Sequence, residues 1–181
     1  EHYLKSLRLQ KLLSTYGMTE NTISTTFNRW DDPIEVCCLN KAPILGTCEV
    51  RIVDTTTLQP LEAEQDGEIW CRGETVMLGY YRDETATKGT ITENGWLRTG
   101  DIGRFDAQGY LSITGRLKDV IVLSSGKNLY PEEIEAHYSQ SPYIKELCVL
   151  GATRPDDPSA ERLHAIVVPD PDVLQAIDYD A

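Results

Sequence analysis

The stretch Thr114-Gly115-Arg116-Leu117-Lys118-Asp119-Val120-Ile121-Val122-Leu123-Ser124-Ser125-Gly126-Lys127-Asn128 contains three segments of different character in succession. A glycine-containing turn comes first and carries the charged residues Arg116, Lys118 and Asp119. The β-branched run of residues 120–123 then predicts a short buried strand. Ser-Ser-Gly-Lys-Asn follows, a composition typical of a loop. The expected local structure is therefore a charged turn, one strand and a glycine loop.

Upstream of this stretch, Tyr16-Gly17-Met18-Thr19-Glu20 combines an aromatic ring, a glycine, a hydroxyl and a carboxylate within one short turn. These groups can stack on a base, let backbone approach a phosphate closely, donate a hydrogen bond to it and ligate magnesium. The same five residues are also compatible with an ordinary strand-to-loop turn in which Glu20 is simply solvated. On its own, the pentapeptide leaves both interpretations open.

A β-rich region follows the pentapeptide. Residues 49–54 and 67–73 both alternate polar and apolar side chains, which predicts two half-buried strands, with Ile69 and Cys71 on one face. Asp83 can cap a short helix that begins directly after it. Gly79-Tyr80 lies between these elements and is interpreted as structural.

Asp101 ends the sequence Arg98-Thr99-Gly100-Asp101 and is expected at the end of a strand. A carboxylate there can accept two hydrogen bonds from a vicinal diol, each worth about 1.5–3 kcal/mol when desolvated. The alternative is an aspartate that only caps a turn. Residues 106–109 then predict a hairpin turn between two strands.

The part after residue 128 predicts a separate α+β unit. Pro131 followed by Glu132 and Glu133 is typical of a helix N-terminus. Residues 144–151 predict a strand buried on both faces, 152–162 a polar loop and 164–168 a further strand.

Composition narrows the function classes. The chain has 181 residues, 40% of them hydrophobic and 25% charged. A chain of this length and composition can bury the core of one domain or of two small ones. Its net charge of −12 argues against nucleic acid and against an anionic membrane surface as partners. No apolar run approaches the ~20 residues of a transmembrane helix.

The five cysteines, at positions 37, 38, 48, 71 and 148, are odd in number and include no Cys-x-x-Cys pair. This argues against a zinc site and against a disulfide framework. Reduced thiols are the expectation, and with them a cytoplasmic location.

Taken together and in this order, these motifs resemble those of the adenylate-forming enzymes, the superfamily of acyl-CoA synthetases, luciferases and peptide-synthetase adenylation domains. The matching elements are Tyr-Gly-x-Thr-Glu at 16–20, Gly-Glu-Ile at 67–69 with Gly79-Tyr80, Arg-Thr-Gly-Asp at 98–101, and the central stretch. The resemblance implies an α+β fold: residues 1–115 form the barrel-like, β-rich end of a large domain, and 116–181 the hinge and first part of a small lid domain.

The resemblance also implies roles for individual residues. Tyr16 would line the adenine pocket, Thr19 would contact the α-phosphate and Glu20 would ligate Mg²⁺. Asp101 would bind the ATP ribose, and Arg116 the ribose and phosphates. Thr19, Glu20 and Arg116 form the implied catalytic set. The implied nucleotide- and CoA-binding residues are Tyr16, Gly17, Thr19, Asp101, Arg116, Ser125 and Gly126.

Lys118 corresponds to the family's hinge residue, about which the small domain rotates between two half-reactions. Ser125 and Gly126 match the loop that lines the pantetheine tunnel of CoA. ATP, Mg²⁺ and CoA are thus the implied cofactor and substrates. A long-chain fatty acid is the expected acyl substrate, because the central stretch is most similar to that of the fatty acyl-CoA ligases.

The family also uses a Ser/Thr/Gly-rich phosphate loop upstream of Tyr16 and a catalytic lysine downstream of Ala181. The chain is therefore expected to be an internal fragment that is inactive alone, and it could dimerise to cover exposed apolar area. A fatty-acyl-AMP ligase that uses a carrier protein, a non-catalytic module of the same fold, and a protein without a nucleotide site remain as alternatives.

Overall fold

The computed structural model describes residues 11, 13–22, 24–38, 41–46, 48–123, 125, 127–154 and 157–175. The chain divides into two compact units, residues 1–113 and 114–181. The sequence predicted a boundary after residue 115. Within the described ranges, no helix has the length and apolar character that a bilayer crossing requires.

Strands are the main regular elements in the described part of the first unit. Its strands are β1 Thr15–Tyr16, β2 Thr26–Phe27, β3 Lys41–Ala42, β4 Cys48–Val53, β5 Gly67–Gly73 and β6 Leu97–Phe105, with β7 Leu111–Arg116 running across the boundary. Its helices are α1 Ile34–Cys38 and α2 Glu84–Thr90. Five strands form one sheet in the order β3-β7-β6-β5-β4, and β1 pairs with β2 in a separate antiparallel ribbon.

The five-stranded sheet is open. Its outer strands in the described chain are β3 and β4, which are not paired with each other, so the barrel-like shape expected from the sequence does not close into a barrel. The α+β class itself is confirmed. The central strands are joined antiparallel, as β4 with β5 and β5 with β6.

Strands β4 and β5 form where the alternating pattern predicts them. Strand β5 is not half-buried as expected, because residues 67–71 are all buried and the sheet covers side chains on both of its faces. On one face, Ile52, Ile69, Cys71 and Leu111 form a core cluster against which Tyr16 packs. Ile69 and Cys71 thus share a face, as the sequence indicated. Burial raises the pKa of the Cys71 thiol to about 12, so this thiol stays protonated at neutral pH.

Tryptophan and arginine side chains pack on the other face of the sheet. Val53, Trp70 and Trp96 form a second buried cluster. The guanidinium carbon of Arg51 lies 4.8 Å from the ring centre of Trp70 and 3.9 Å from that of Trp96. Arg72 lies 4.6 Å from the Trp96 ring. These distances are within the range of cation–π attraction, so the stacked arginines add to the stability of the buried tryptophan cluster on this face.

Helix α2 begins at its predicted cap. The Ala86 amide donates to Asp83 Oδ1 at 2.8 Å, which satisfies one of the amides left unpaired at a helix start. Before the helix, Gly79 has φ +146°, and a Cβ there would come within 2.8 Å of the Thr87 side chain. A side chain at position 79 would therefore push the preceding loop away from α2.

The second unit contains β8 Ile121–Val122, β9 Asn128–Leu129, α3 Pro131–Tyr138, β10 Ile144–Arg154, β11 Asp157–Pro169 and α4 Pro171–Gln175. Helix α3 has proline in its first turn followed by two glutamates, as predicted. The expected buried strand at 120–123 is shorter than predicted. Ile121 is buried, but Val122 is 48% exposed, and within the described residues β8 pairs with the two-residue strand β9.

Two further predictions for the second unit are wrong. Residues 152–162 are not a polar loop, because Ala152 and Thr153 of β10 pair with Arg162 and Glu161 of β11 in a long antiparallel hairpin. The strand from Ile144 is not buried on both faces either. Only Val149 is fully buried among its described side chains, and a two-stranded hairpin leaves its remaining apolar residues partly in solvent.

Candidate functional site

The candidate site of the first unit begins in β1 and continues through a single turn of 3-10 helix. Tyr16 ends β1, and the turn spans Thr19–Asn21. Thr22 closes the turn in the left-handed conformation, with φ +50°, and its amide donates to the Thr19 carbonyl at 3.2 Å. Gly17 and Thr19 are exposed, whereas Tyr16 and Glu20 are half-buried. This backbone exposes one face of the pentapeptide to solvent.

Asp101 reaches the same region from β6. The Tyr16 hydroxyl donates to Asp101 Oδ2 at 2.7 Å, although the two residues are separated by 85 positions in the chain. Asp101 is only 6% exposed. Burial and then the negative charge of Asp101 raise the pKa of the Tyr16 hydroxyl far above its ordinary value. Tyr16 therefore stays protonated and donates to the carboxylate.

Asp101 does not lie at a strand end, as the sequence had suggested, but at a bulge inside β6. Glu68 of β5 pairs with Ile102, and Trp70 pairs with Arg98, so that Ile69 alone faces residues 99–101. Gly100, in the middle of these residues, has φ +72°. The bulge turns the Asp101 side chain out of the regular alternation of the strand.

In the bulge, side chains form hydrogen bonds with backbone groups that regular strand pairing would otherwise bind. Thr99 Oγ1 donates to the Ile69 carbonyl at 2.7 Å and accepts from the Asp101 amide at 3.1 Å. The Gly100 amide donates to Glu68 Oε1 at 3.2 Å. Thr99 and Glu68 thus hold the backbone that positions Asp101. Their roles could not be predicted from the motif because they depend on strand pairing.

Glu20 has a partner that the sequence did not indicate. The Tyr80 hydroxyl donates to Glu20 Oε1 at 2.9 Å, and this hydrogen bond raises the pKa of Tyr80. The sequence had assigned Tyr80 to structure alone. The described residues contain no cluster of three or more His, Cys, Asp or Glu side chains suited to a metal. A Mg²⁺ ion at Glu20 would take further ligands from water or from a bound substrate, which is how proteins commonly hold this ion.

A cavity of about 250 Å³ lies beside Tyr16, and Ser14, Thr26, Ala42 and Ile113 also line it. A second cavity, of about 390 Å³, lies along the loop of Gly79 and Tyr80 and the start of α2. Both cavities belong to the first unit. The first cavity borders Tyr16 directly, and the second borders Tyr80, whose hydroxyl contacts Glu20.

The remaining predicted residues lie in the second unit. Arg116 ends β7 and is exposed, and Lys118 is exposed in a 3-10 turn at Leu117–Asp119. Lys118 borders a cavity of about 440 Å³ together with Glu132, Glu135 and Cys148. Ser125 is exposed, whereas Gly126 lies outside the described residues.

Family comparison identifies the chain. A family model described as AMP-binding enzyme matches residues 2–81, and the model of the AMP-binding enzyme C-terminal domain matches residues 118–169. The chain belongs to the AMP-binding, adenylate-forming enzymes. The two models flank β6, so the Thr99–Asp101 bulge lies on the segment between them.

Relatives of this AMP-binding chain include acyl-CoA ligases. It is 39% identical over 178 residues to the 3-[(3aS,4S,7aS)-7a-methyl-1,5-dioxo-octahydro-1H-inden-4-yl]propanoyl:CoA ligase of Rhodococcus jostii, an alignment covering 98% of this chain and 32% of the relative. It is 35% identical over 164 residues to the mitochondrial medium-chain acyl-CoA ligase ACSF2 of Bos taurus, covering 91% of this chain and 26% of the relative.

A solved structure has the same fold. ATP-bound MatB from Rhodopseudomonas palustris superposes with a TM-score of 0.79 at 33% identity, covering 93% of this AMP-binding chain and 32% of the MatB chain. The chain thus spans about a third or less of the length of these three relatives.

Proposed function

We propose that the protein carrying this chain is an ATP-dependent acyl-CoA synthetase that activates a fatty acid, with a long-chain acid as the expected substrate. The observation that carries the proposal is the hydrogen bond from Tyr16 to Asp101, which unites residues from two separate motifs in one site. The acyl-CoA ligase relatives support the same reaction class.

The reaction proceeds in two half-reactions. In the first, a carboxylate oxygen of the fatty acid attacks the α-phosphorus of ATP, and the bond to pyrophosphate breaks to give acyl-AMP. In the second, the CoA thiol loses its proton and attacks the acyl carbonyl carbon, and AMP leaves. Both steps depend on positioning and on neutralising phosphate charge, which favours a site of fixed donors and carboxylates.

We assign roles to residues of both units. Tyr16 and Gly17 bind the adenine side of ATP, and Asp101 binds the ribose. Thr19 donates to the α-phosphate, and Glu20 holds Mg²⁺, which supplies charge neutralisation at the phosphate oxygens. One half-buried carboxylate with an oxygen already fixed by a tyrosine hydroxyl suits a cation that takes its other ligands from ATP.

Residues of the second unit contribute to both half-reactions. Arg116 forks onto anionic oxygens of the nucleotide, Lys118 acts as the hinge, and Ser125 with Gly126 lines the path of the CoA thiol. The exposure of Arg116, Lys118 and Ser125 supports these roles, because each must meet a ligand or change conformation in solvent. The 181-residue chain alone is expected not to form acyl-CoA, because the family's phosphate loop and catalytic lysine lie outside it.

The deciding experiment is fatty-acid-dependent exchange of labelled pyrophosphate into ATP by the protein that carries this chain, followed by addition of CoA. Exchange followed by thioester formation is expected, with the highest rate for long-chain acids. Exchange without thioester would point to a carrier-protein acceptor. A preference for medium-chain acids would correct the substrate, and the absence of exchange with any carboxylate would overturn the proposal.

A matched pair of variants locates the site. Asp101→Ala is expected to lower the affinity for ATP by about tenfold or more, since hydrogen bonds to charged groups contribute about 1.5–3 kcal/mol. Asp106→Ala is the control, because it removes a carboxylate of the same type that accepts hydrogen bonds from the Gln108 and Tyr110 amides in a hairpin turn. Equal losses in both variants would contradict a ribose-binding role for Asp101.

Location and assembly are further parts of the proposal. A cytoplasmic location is supported by the thiol-rich composition, although one relative is named as mitochondrial. Homodimer formation is supported by exposed apolar side chains on β11, such as Ile166 at 60% and Val167 at 48%. Cell fractionation and light scattering test these two statements separately, and a monomer at high concentration would rule out the dimer.

A further inference from the structure

Tyr80 and Glu20 are joined by a hydrogen bond between parts of the chain that no shared motif connects. The Tyr80 hydroxyl lies 2.9 Å from Glu20 Oε1, at a separation of 60 residues. Tyr80 is 37% exposed, and Glu20 is half-buried. The contact therefore lies at the surface of the first unit, where both side chains are partly exposed to solvent.

The loop before Tyr80 is fastened to the turn that contains Glu20 by three further hydrogen bonds. The Met77 amide donates to the Glu20 carbonyl at 2.8 Å. Thr22 Oγ1 donates to the Thr75 carbonyl at 2.7 Å, and Thr75 Oγ1 donates to Asn21 Oδ1 at 2.5 Å. Because Asn21 is completely buried, this connection anchors the loop in the interior.

The other side of Tyr80 is fastened to helix α2. Its amide donates to Thr87 Oγ1 at 2.9 Å, and the close approach at Gly79 keeps the loop against the same threonine. The backbone of Tyr80 is thus held from both directions. Its hydroxyl is presented to Glu20 by a rigid frame and not by a free loop.

We propose that Tyr80 is a positioning residue, which holds the Glu20 carboxylate in the orientation that receives the divalent cation of Mg·ATP. This inference rests on the proposed function. A glutamate side chain has several rotatable bonds, and a hydrogen bond to one carboxylate oxygen restricts them while leaving the other oxygen to face a cation. Partners that orient metal ligands in this way commonly change metal affinity 10–100-fold.

The test compares binding of two forms of ATP to the protein that carries this chain, by calorimetric titration without fatty acid. One form is Mg·ATP, and the other is ATP with a chelator. Tyr80→Phe keeps the ring and removes only the hydroxyl, so it is expected to weaken Mg·ATP binding by about tenfold. The affinity for metal-free ATP is expected to stay unchanged, which a general loss of structure would not allow.

The chain supplies a matched control in the next residue. Tyr81 is 84% exposed, and its ring lies 5.1 Å from the Arg82 guanidinium carbon, so Tyr81→Phe is expected to leave both affinities unchanged. In a Glu20→Gln background, Tyr80→Phe is expected to cause no further loss, because the two residues act through one carboxylate.

Three outcomes would overturn the inference. If Tyr80→Phe weakens the binding of Mg·ATP and of metal-free ATP equally, the role of Tyr80 is structural. If it weakens the binding of neither form, the Tyr80 hydroxyl does not position Glu20. In both cases the proposed function stands as long as the wild-type protein binds Mg·ATP more tightly than metal-free ATP. If the wild-type protein binds neither form, the proposed function fails, and the inference fails with it.

Discussion

Asp101 and Asp32 are buried carboxylates of the first unit that each accept a hydrogen bond from a tyrosine hydroxyl at 2.7 Å. Burial raises the pKa of Asp32, but hydrogen bonds from Tyr110, the Arg29 amide and Asn28 outweigh it, and the pKa falls below its ordinary value. The ionised form of Asp32 therefore stabilises the fold at neutral pH, and this contribution is lost as pH falls through the lowered pKa.

The two tyrosines provide a paired prediction. Tyr16→Phe and Tyr110→Phe each remove a hydrogen bond to a carboxylate, and both are expected to lower the free energy of unfolding, by about 1.5–3 kcal/mol for the largely buried Tyr16 and by less for Tyr110. Only Tyr16→Phe is expected to weaken ATP binding, because Asp101 belongs to the proposed site and Asp32 does not. Urea denaturation and ATP titration check the two effects. An equal effect of both variants on ATP binding would contradict the assignment of Tyr16.

Among the strands, β6 packs so closely between β5 and β7 that Gly103 has almost no room for a side chain. A Cβ at Gly103 would lie 2.4 Å from the Ser112 carbonyl oxygen of β7 and 2.8 Å from Ile69 Cδ1 of β5. The carbonyl belongs to the backbone and cannot move aside without breaking the strand pairing. Glycine at this position is therefore required by the spacing of the strands.

Gly103→Ala is expected to lower the free energy of unfolding by about 1–3 kcal/mol, the usual cost of overpacking. Gly89→Ala is the control, because the added methyl group meets no atom within 4 Å in helix α2. It is expected to stabilise the chain by about 0.5–1 kcal/mol, since alanine favours the helix. Urea denaturation followed by circular dichroism gives both values, and a neutral Gly103→Ala would show that β6 and β7 can separate.

Local sequence signals predicted the elements that depend on near neighbours. The strands β4 and β5 and the cap at Asp83 depend on adjacent residues, and their presence is confirmed. The half-buried character expected of β5 is wrong, because neighbouring strands and side chains cover residues 67–71. The position of Asp101 was predicted wrongly, because the bulge arises from pairing with β5 and not from its own sequence. The contact between Tyr80 and Glu20 was missed for the same reason, since nothing local connects two residues so far apart.

Apolar composition also misled the prediction for β10. Val149 is buried because the strand packs beside α3, where Glu135 accepts a hydrogen bond from the Val149 amide at 2.7 Å. Elsewhere the hairpin of β10 and β11 leaves residues such as Ile166 in solvent. A run of apolar residues indicates a strand, but the number of faces that become buried depends on the elements that pack against it.

At the scale of the whole chain, the division into two units falls within β7, shortly before the proposed hinge at Lys118. If the units must rearrange between the half-reactions, the backbone at this residue must change its φ and ψ angles. The side chain of Lys118, in contrast, is exposed and is not required for packing. We therefore assign the hinge role of Lys118 to its backbone.

Lys118→Pro fixes φ near −65° and is expected to leave pyrophosphate exchange intact while slowing thioester formation. An increase of about 1.4 kcal/mol in the barrier would lower that rate about tenfold. Lys118→Ala keeps the backbone free and is expected to leave both half-reactions unchanged. Loss of exchange in the proline variant, or loss of thioester formation in the alanine variant, would contradict the hinge assignment.

Trp70 and Trp96, which stack with Arg51, are fluorescent side chains of the first unit. The chain has three tryptophans, at positions 30, 70 and 96, and all of them precede the boundary between the units. Indole emission, excited at wavelengths that tyrosine does not absorb, therefore originates from the first unit alone. Tryptophan fluorescence can therefore follow a change in the first unit separately from a change in the second unit, without an attached dye.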